Sequence, residues 1–156
     1  MELRLAVPAD ALAVARIHVR AWQTGYRGLL PDGYLDSLQA EDRARRYTFD
    51  RADGPQTTVA VRAGAITGFV TTSGAELSAL HVDPDAWRTG VGSALLARAR
   101  ANLAAAGVIE AHLWVLDGNQ RAQRFYERDG WVASGTARRD TVWSIEVNEL
   151  EYRRRL

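Results

Sequence analysis

The segment spanning residues 80–96 constrains the fold of this chain more than any other. It runs from an apolar stretch through a turn with Pro84 and a pair of glycines, Gly90 and Gly92, into an apolar helix-like segment. This order predicts a buried strand that leads through a glycine-rich corner into an amphipathic helix. Such a corner directs several backbone N–H groups outward at the helix N-terminus, where they can bind a phosphate group.

The length and composition of the chain are those of one globular domain, which we place at residues 1–156. Hydrophobic residues make up 47% and charged residues 25% of the chain, as is typical of a globular protein. No apolar run approaches the roughly 18 residues that a membrane span requires, and the first residues lack a signal-peptide pattern. We therefore expect a cytoplasmic protein without membrane contacts. The formal net charge of +1 gives no reason to expect a nucleic-acid partner.

Two residue types are missing, and their absence excludes several function classes. The chain has no cysteine, which rules out disulfides, thiolate metal ligands and a cysteine nucleophile. It also has no lysine, since all basic side chains other than histidine are arginine. P-loop proteins, protein kinases and Schiff-base enzymes each need a lysine. His18 and His112 have no partners at metal-ligand spacing, so we expect no metal site and a structural role for both.

Hydrophobic periodicity and turn residues predict the element order β-α-α-α-β-β-β-α-β-α-β-β. Strands 76–82 and 109–116 are separated by a helix and are expected to be parallel neighbours. All other strand pairs are expected to be antiparallel. The fold class is therefore α/β (α+β), with a mixed, mostly antiparallel central sheet and helices on both faces. The remaining expected strands cover residues 2–6, 57–62, 66–72, 131–137 and 142–152. The first expected helix begins near Pro8, and the other four cover 29–38, 41–50, 90–106 and 119–129.

Three details of this prediction concern side-chain orientation. In strand 76–82, the pair Leu77 and Ala79 is expected on one face and the pair Leu80 and Val82 on the other, which suits a central strand. In the first helix, a core-facing stripe is predicted through Leu12, Ala15, Val19 and Trp22. The arginines at 153–155 are expected to form a solvated tail, with a phosphate contact as the alternative.

The two glycines of the corner do not identify a ligand by themselves. Gly-x-Gly also occurs as an ordinary tight turn at a helix start. A dinucleotide-binding fingerprint needs a third glycine at the position of Leu95, and the first βα unit of that fold is missing. We therefore set the dinucleotide interpretation aside.

A second cluster, Asn119–Trp131, follows the predicted strand 109–116. Asn119 stands at the expected helix start, where it acts as an N-cap or contacts a ligand. Phe125 is expected to pack in the core. Tyr126 is either a half-buried aromatic or a proton donor.

The two clusters together resemble the GCN5-related N-acetyltransferase (GNAT) superfamily. The pyrophosphate motif of that family, Gln/Arg-x-x-Gly-x-Gly/Ala, aligns with residues 87–92. Its later motif, Asn-x-x-Ala-x-x-Phe-Tyr-x-x-x-Gly-Phe/Trp, matches residues 119–131 at every defined position. The element order agrees as well, so the resemblance covers nearly the whole chain. Trp87 departs from the pattern, and the neighbouring Arg88 is the candidate to supply the phosphate charge.

The resemblance implies acetyl-CoA as the acyl donor and cosubstrate, and no metal. Its pyrophosphate would lie on the N–H groups of the glycine corner, at the positive end of the helix. Its pantetheine arm would pair with the backbone of the preceding strand at a splay caused by a bulge. The expected cofactor-binding residues are Leu80, His81, Val82, Arg88, Thr89, Gly90, Val91, Gly92, Ser93 and Asn119.

Transfer of an acyl group from sulfur to an amine requires a proton donor for the thiolate, an oxyanion donor and a neutral amine. Tyr126 matches the family position of the general acid. A backbone N–H near Leu80 or His81 would bind the oxyanion. Glu76 is the candidate base, acting through water, although it is equally well interpreted as a surface carboxylate. The His81 side chain and the absence of any dedicated base are the alternatives.

The acceptor site is expected in the N-terminal half, with Trp22 and Tyr26 as substrate-binding residues and with Asp32 and Asp36 attracting a cationic substrate. The expected function is an acetyl-CoA-dependent N-acetyltransferase that acts on a primary amine by direct attack. We expect a small-molecule acceptor rather than a protein. The alternatives are a protein N-terminal or lysine acetyltransferase and, from another class, a non-catalytic acyl-CoA-binding module. A homodimer is compatible with the pattern.

Overall fold

The structure, a computed structural model, describes residues 1–156 and contains one seven-stranded sheet. The spatial order of the strands is β1-β2-β3-β4-β5-β7-β6. All neighbouring pairs are antiparallel except β4 and β5, which are parallel, as the sequence predicted. The strands are β1 (Glu2–Leu5), β2 (Gln56–Arg62), β3 (Ala65–Ser73), β4 (Glu76–Val82), β5 (Glu110–Leu116), β6 (Val132–Val142) and β7 (Ile145–Arg155).

Five α-helices complete the fold, and the predicted element order is confirmed. None of the helices combines the length and apolar character needed to cross a bilayer. The predicted helices 29–38 and 41–50 are each reduced to five residues. The helix predicted over 29–38 begins only at Asp32, because Pro31 lacks a backbone N–H and cannot lie inside a helix. The helices are α1 (Ala11–Gly25), α2 (Asp32–Asp36), α3 (Ala40–Ala44), α4 (Val91–Ala105) and α5 (Gln120–Arg128), with short 3-10 turns at Pro8–Asp10 and Pro84–Ala86.

Two helices cover opposite faces of the sheet. One face packs on α4, which buries its residues at positions 91, 95, 99 and 103. The other face packs on α1, where Ala15, Val19 and Trp22 are buried as expected. Leu12, however, is 36% exposed, so that part of the prediction is wrong. The buried surface of α1 instead includes Val14, Ile17, His18 and Ala21.

The central strands β4 and β5 separate almost at once. Their only paired position is Glu76 with His112, at the start of both strands. A β-bulge in β4 lies at Ser78, because Thr71 pairs with Ala79 while Thr72 pairs with Leu77. A bulge bends its strand and re-aims the side chains that follow it. The two strands therefore leave an open gap toward their C-terminal ends.

The same bulge changes which side chains share a face of β4. Leu77 packs in the cluster on the α4 side, together with Val82 and Leu80, whereas Ala79 packs on the α1 side. The predicted pairing of Leu77 with Ala79 is therefore wrong. Strict alternation applies only to a regular strand, and one inserted residue reverses the faces.

The C-terminal hairpin reaches across to the first helices. Trp143 and Ser144 both have positive φ angles, +51° and +66°, which suits a tight two-residue turn between twisted strands. The hydroxyl of Tyr34 donates a 2.5 Å hydrogen bond to the carbonyl oxygen of Trp143. The tip of this hairpin is thereby fixed next to α1 and α2.

The C-terminal arginines belong to the sheet and not to a solvated tail, so that expectation is wrong. Arg153 makes ion pairs with Glu110 and Glu151 at 2.8 and 2.9 Å. Arg154 donates to the carbonyl oxygen of Asp129 at 2.6 Å. Their strand, β7, lies between β5 and β6, which brings these partners within reach.

Gly68 of β3 lies where the sheet packs tightly against α4. An added Cβ would lie 3.0 Å from Cδ1 of Leu95 and 3.1 Å from the carbonyl oxygen of His81. We expect Gly68→Ala to lower the free energy of unfolding by about 1–3 kcal/mol through overpacking, measured by urea denaturation. Gly33→Ala is the control, since no atom lies within 4 Å of its added Cβ. An equal loss in both variants would contradict this account.

Candidate active site

A cavity of about 670 Å³ occupies the gap between β4 and β5. It extends from the N-terminus of α4 on one face of the sheet to α1 and α3 on the other. Ligands commonly bind at the carboxyl ends of parallel strands, where neighbouring strands diverge. The cavity thus joins the predicted phosphate corner to the predicted acceptor half.

The glycine corner offers a row of unpaired backbone donors. The first helical hydrogen bond of α4 runs from the N–H of Ala94 to the oxygen of Gly90. The N–H groups of residues 88–93 have no acceptor within the protein. Gly90 has a φ of +88°, a conformation that favours glycine. Free N–H groups at a helix N-terminus form a site for an anion.

Trp87 has a structural task at this corner, which accounts for its departure from the family pattern. Its indole N–H donates to the carbonyl oxygen of Val82 at 2.8 Å, which fastens the loop to the end of β4. The guanidinium of Arg121 lies 3.7 Å from the centre of the Trp87 ring, a cation–π contact. Arg88 is exposed and lines the cavity, so its suggested phosphate contact stays a prediction.

The second predicted cluster lies against the corner. Asn119 is buried, lines the cavity and accepts a hydrogen bond from the N–H of Ala122 at 3.2 Å. Its N-cap role is confirmed, and its contact with a ligand stays a prediction. Phe125 packs against the main core cluster, as expected, and its ring lies 3.4 Å from a Cβ built on Gly92. A small residue at position 92 is therefore required by packing.

The Tyr126 hydroxyl lies on the cavity wall without a protein partner. The residue is 8% exposed and packs against Phe125 and Trp131. Burial, reinforced by Tyr26, raises the pKa of Tyr126 above its ordinary value. The phenol therefore keeps its proton at neutral pH and can donate a hydrogen bond to a group in the cavity.

The His81 side chain lines the cavity on the α1 side. It stacks on His18, with 4.6 Å between the ring centres. Burial, together with the positive charges of Arg43 and Arg121, lowers the pKa of His81 to about 3. The ring is therefore neutral at neutral pH, and the same surroundings make it a weak proton acceptor. His18 is buried, and the hydroxyl of Tyr47 lies 3.1 Å from its Nδ1.

Glu76 does not line the cavity. It lies at the closed end of the gap, where β4 and β5 still pair, and its carboxylate is 3.6 Å from Nε2 of His112. Asp32 and Asp36 are likewise remote, because both bind Arg27 at the surface. The structure does not bring these three carboxylates to the site, which departs from the roles expected for them.

Trp22 and Tyr26 form part of an aromatic wall on the acceptor side. Their ring centres lie 5.0 Å apart, and Trp143 lies 5.1 Å from Trp22. Burial, with Glu149 nearby, raises the pKa of Tyr26 to about 12. Both predicted substrate-binding residues line the cavity, so their positions agree with the expected role.

Several charged residues of the cavity were missed at the level of sequence. Glu149 is its only lining carboxylate, and it accepts a 2.9 Å hydrogen bond from Arg138. Neither Glu149 nor Arg43 belongs to a local motif, since they reach the cavity from a strand and a helix far apart in the chain. The other arginines that line the cavity are the predicted Arg88 and three residues within the second cluster, Arg121, Arg124 and Arg128.

Comparison with known proteins identifies the class to which this fold and site belong. The model of the acetyltransferase (GNAT) family matches residues 15–131. The chain therefore belongs to the GNAT family of N-acetyltransferases and is an acyltransferase enzyme. An uncharacterised N-acetyltransferase of Bacillus subtilis, YuaI, is 26% identical over 119 residues, which is 70% of this chain and 68% of that protein. The match to an uncharacterised N-acetyltransferase of Mycobacterium tuberculosis is 41% identical over 61 residues and spans 39% of each chain.

Solved structures share the whole architecture. A GCN5-related N-acetyltransferase from Rhodopseudomonas palustris has a TM-score of 0.85 at 22% identity, covering 99% of this chain and 95% of that one. The PaiA N-acetyltransferase from Thermoplasma acidophilum, solved in complex with coenzyme A, has a TM-score of 0.81 at 19% identity, covering 99% and 98%. At these identities the likeness establishes the fold, which is a GNAT fold.

The depressed pKa of His81 links stability to pH. The folded-state pKa of about 3 lies below the ordinary value of 6.5, so the unfolded chain binds more protons between these values. The free energy of unfolding should therefore fall as the pH drops from 6.5 toward 3. We expect His81→Gln to make this decline shallower, by at most about 1.4 kcal/mol per pH unit, in urea titrations between pH 7 and 5. Identical slopes in variant and wild type would contradict this expectation.

Proposed function

We propose that this protein is an acetyl-CoA-dependent N-acetyltransferase that transfers the acetyl group to the primary amine of a small molecule by direct attack. The observation that carries the proposal is the single cavity between β4 and β5. It connects the unpaired N–H groups at residues 88–93 with the Tyr126 hydroxyl and the aromatic wall around Trp22. The groups that would bind the anion, donate the proton and bind the acceptor thus line the same cavity.

The residues present fit the cosubstrate. The corner at residues 88–93 would hold the pyrophosphate, and the exposed arginines at 88, 124 and 128 would add positive charge. The edge of β4 that faces the gap, at Leu80 and Val82, would pair with the amides of pantetheine, His81 would lie between them, and Asn119 would contact the same arm. When bound, acetyl-CoA supplies an activated acyl group as a thioester.

The chain's own groups would serve the three needs of acyl transfer. The backbone N–H of Leu80 would stabilise the oxyanion, since it faces the gap while the N–H groups of His81 and Asp83 face β3. The Tyr126 hydroxyl, kept protonated by burial, would give its proton to the departing thiolate, whose ordinary pKa is about 8.5. The proton that the attacking amine loses would pass to solvent without a dedicated base, because a His81 ring with a pKa of about 3 binds a proton weakly. Glu76 would then have no part in the proton transfer.

The closure of the acceptor side supports a small molecule over a peptide. The hairpin tip is fixed to α2 by the bond between Tyr34 and Trp143. Trp143 also packs on Trp22 of α1. These contacts make the hairpin tip one wall of the acceptor side, which favours a small acceptor over an extended chain. The free phenol of Tyr126, in turn, supports an enzyme over a non-catalytic acyl-CoA-binding module.

Replacing the proposed acid separates chemistry from binding. Tyr126→Phe should lower kcat by about 10²- to 10⁴-fold, the usual contribution of general acid catalysis, and leave the Kd for acetyl-CoA unchanged. The measurement is thiol release with an accepted amine, together with calorimetric titration of acetyl-CoA. Tyr152→Phe is the control, because that buried hydroxyl donates to Glu127 outside the cavity. An unchanged kcat in Tyr126→Phe would remove this residue as the acid.

The corner itself can be tested through Gly90. Gly90→Ala places a side chain at a φ of +88°, which costs about 1–2 kcal/mol and should distort the glycine corner. We expect the Kd for acetyl-CoA to rise about 5- to 30-fold. Gly74→Ala introduces similar strain at a φ of +59° in the turn between β3 and β4, and it should affect stability but not the Kd. Equal Kd values in the two variants would contradict the proposal that the glycine corner binds the pyrophosphate.

A further inference from the structure

Two buried hydrogen-bond donors on the acceptor side of the cavity lack a partner. They are the indole N–H of Trp22 and the Nε–H of Arg43, and no other buried side-chain nitrogen or oxygen is left unpaired. Both residues line the cavity, and Trp22 is only 5% exposed. Buried polar groups in folded proteins are nearly always paired. Both N–H groups are covered from solvent in this structure, so a small rotation of each side chain would present them to a ligand that supplies acceptor atoms.

The charge of Arg43 is also unbalanced. No carboxylate lies within 4 Å of its guanidinium, whereas its neighbour Arg45 pairs with Asp42. The Arg43 guanidinium lies 5.2 Å from the ring centre of Trp143 and 5.7 Å from that of Tyr47. These aromatic faces hold the group in place without neutralising it.

The surrounding wall does not offset this positive charge. Glu149 is the only carboxylate that lines the cavity, and Arg138 already pairs with it. Arg121 adds a second guanidinium without a carboxylate partner, stacked on Trp87. A carboxylate offers several acceptor positions to a guanidinium and forms strong, charge-assisted hydrogen bonds with it. A cationic group would be repelled at this place.

We infer that the acceptor is an amine that also carries a carboxylate, which Arg43 and the Trp22 indole bind while the amine faces the gap between β4 and β5. The inference rests on the proposed function and gives its acceptor a chemical class. Tyr26, Leu30 and Val147 line the same side of the cavity and suit an apolar side chain. Apolar amino acids therefore match this half of the site.

The first test compares acceptors that differ only in the carboxylate. Purified protein is assayed with acetyl-CoA and with L-leucine, L-leucinamide, L-phenylalanine and L-phenylalaninamide, following thiol release. The amides have the less basic amines, so the neutral amine is more abundant in them and chemistry alone favours them. We expect the acids to show a kcat/KM about 10- to 100-fold higher than the amides.

The second test removes the two donors. Arg43→Gln should raise the KM for the acids about 10- to 100-fold and change the KM for the amides much less, so that the preference for the acids is lost. Arg43→Lys keeps the positive charge but lacks the planar guanidinium with its paired N–H donors, so the increase in KM should be smaller in this variant. Trp22→Phe should raise the KM for the acids about 3- to 10-fold. Arg46→Gln is the control, since Arg46 is exposed and lies outside the cavity.

The inference is overturned if the amides equal or surpass the acids, or if Arg43→Gln affects both classes alike. If neither class releases thiol although acetyl-CoA binds, the proposed function fails as stated. In that event, calorimetry of N-acetyl-L-leucine and N-acetyl-L-leucinamide with the coenzyme A-saturated protein decides the inference. Tighter binding of the acid that disappears in Arg43→Gln supports it, and equal or undetectable binding of the two overturns it.

Discussion

The separation of β4 from β5 is the constraint on which the rest of the site depends. The two parallel strands pair only at Glu76 and His112, because the bulge at Ser78 bends β4 away from its neighbour. The gap leaves an unpaired edge of backbone in the middle of the sheet. It also opens a passage between the two faces, so that groups from α4, α5 and α1 meet in one cavity.

The bulge also sorts the side chains of β4. Leu77, Leu80 and Val82 pack on the α4 side, which anchors the strand in the main core. His81 turns to the α1 side, where it meets His18 in a buried aromatic environment. Burial has opposite consequences for two titratable groups here, since it favours the neutral form of each. Tyr126 thereby keeps its proton, and His81 stays without one.

The acceptor side depends on contacts between distant parts of the chain. Trp22 of α1, the guanidinium of Arg43 and the hairpin tip at Trp143 pack together. Aromatic faces can hold a guanidinium without neutralising its charge. The result is a positively charged pocket with apolar walls, which accounts for our inference of a carboxylate-bearing acceptor.

Sequence by itself determined the element order, the glycine corner and the N-cap at Asn119, because these depend on local periodicity, turn residues and capping. It also found Tyr126, through the spacing of a recognisable motif. It did not determine the role of Glu76 or the surroundings of Asp32 and Asp36. Only the tertiary structure decided which charged groups reach the cavity. One physical reason is the inserted residue at Ser78, which changes the side chains that each face of β4 presents. The other is that Arg43 and Glu149 are far apart in the chain and come together only when the protein folds, so no local sequence pattern predicts their place in the cavity.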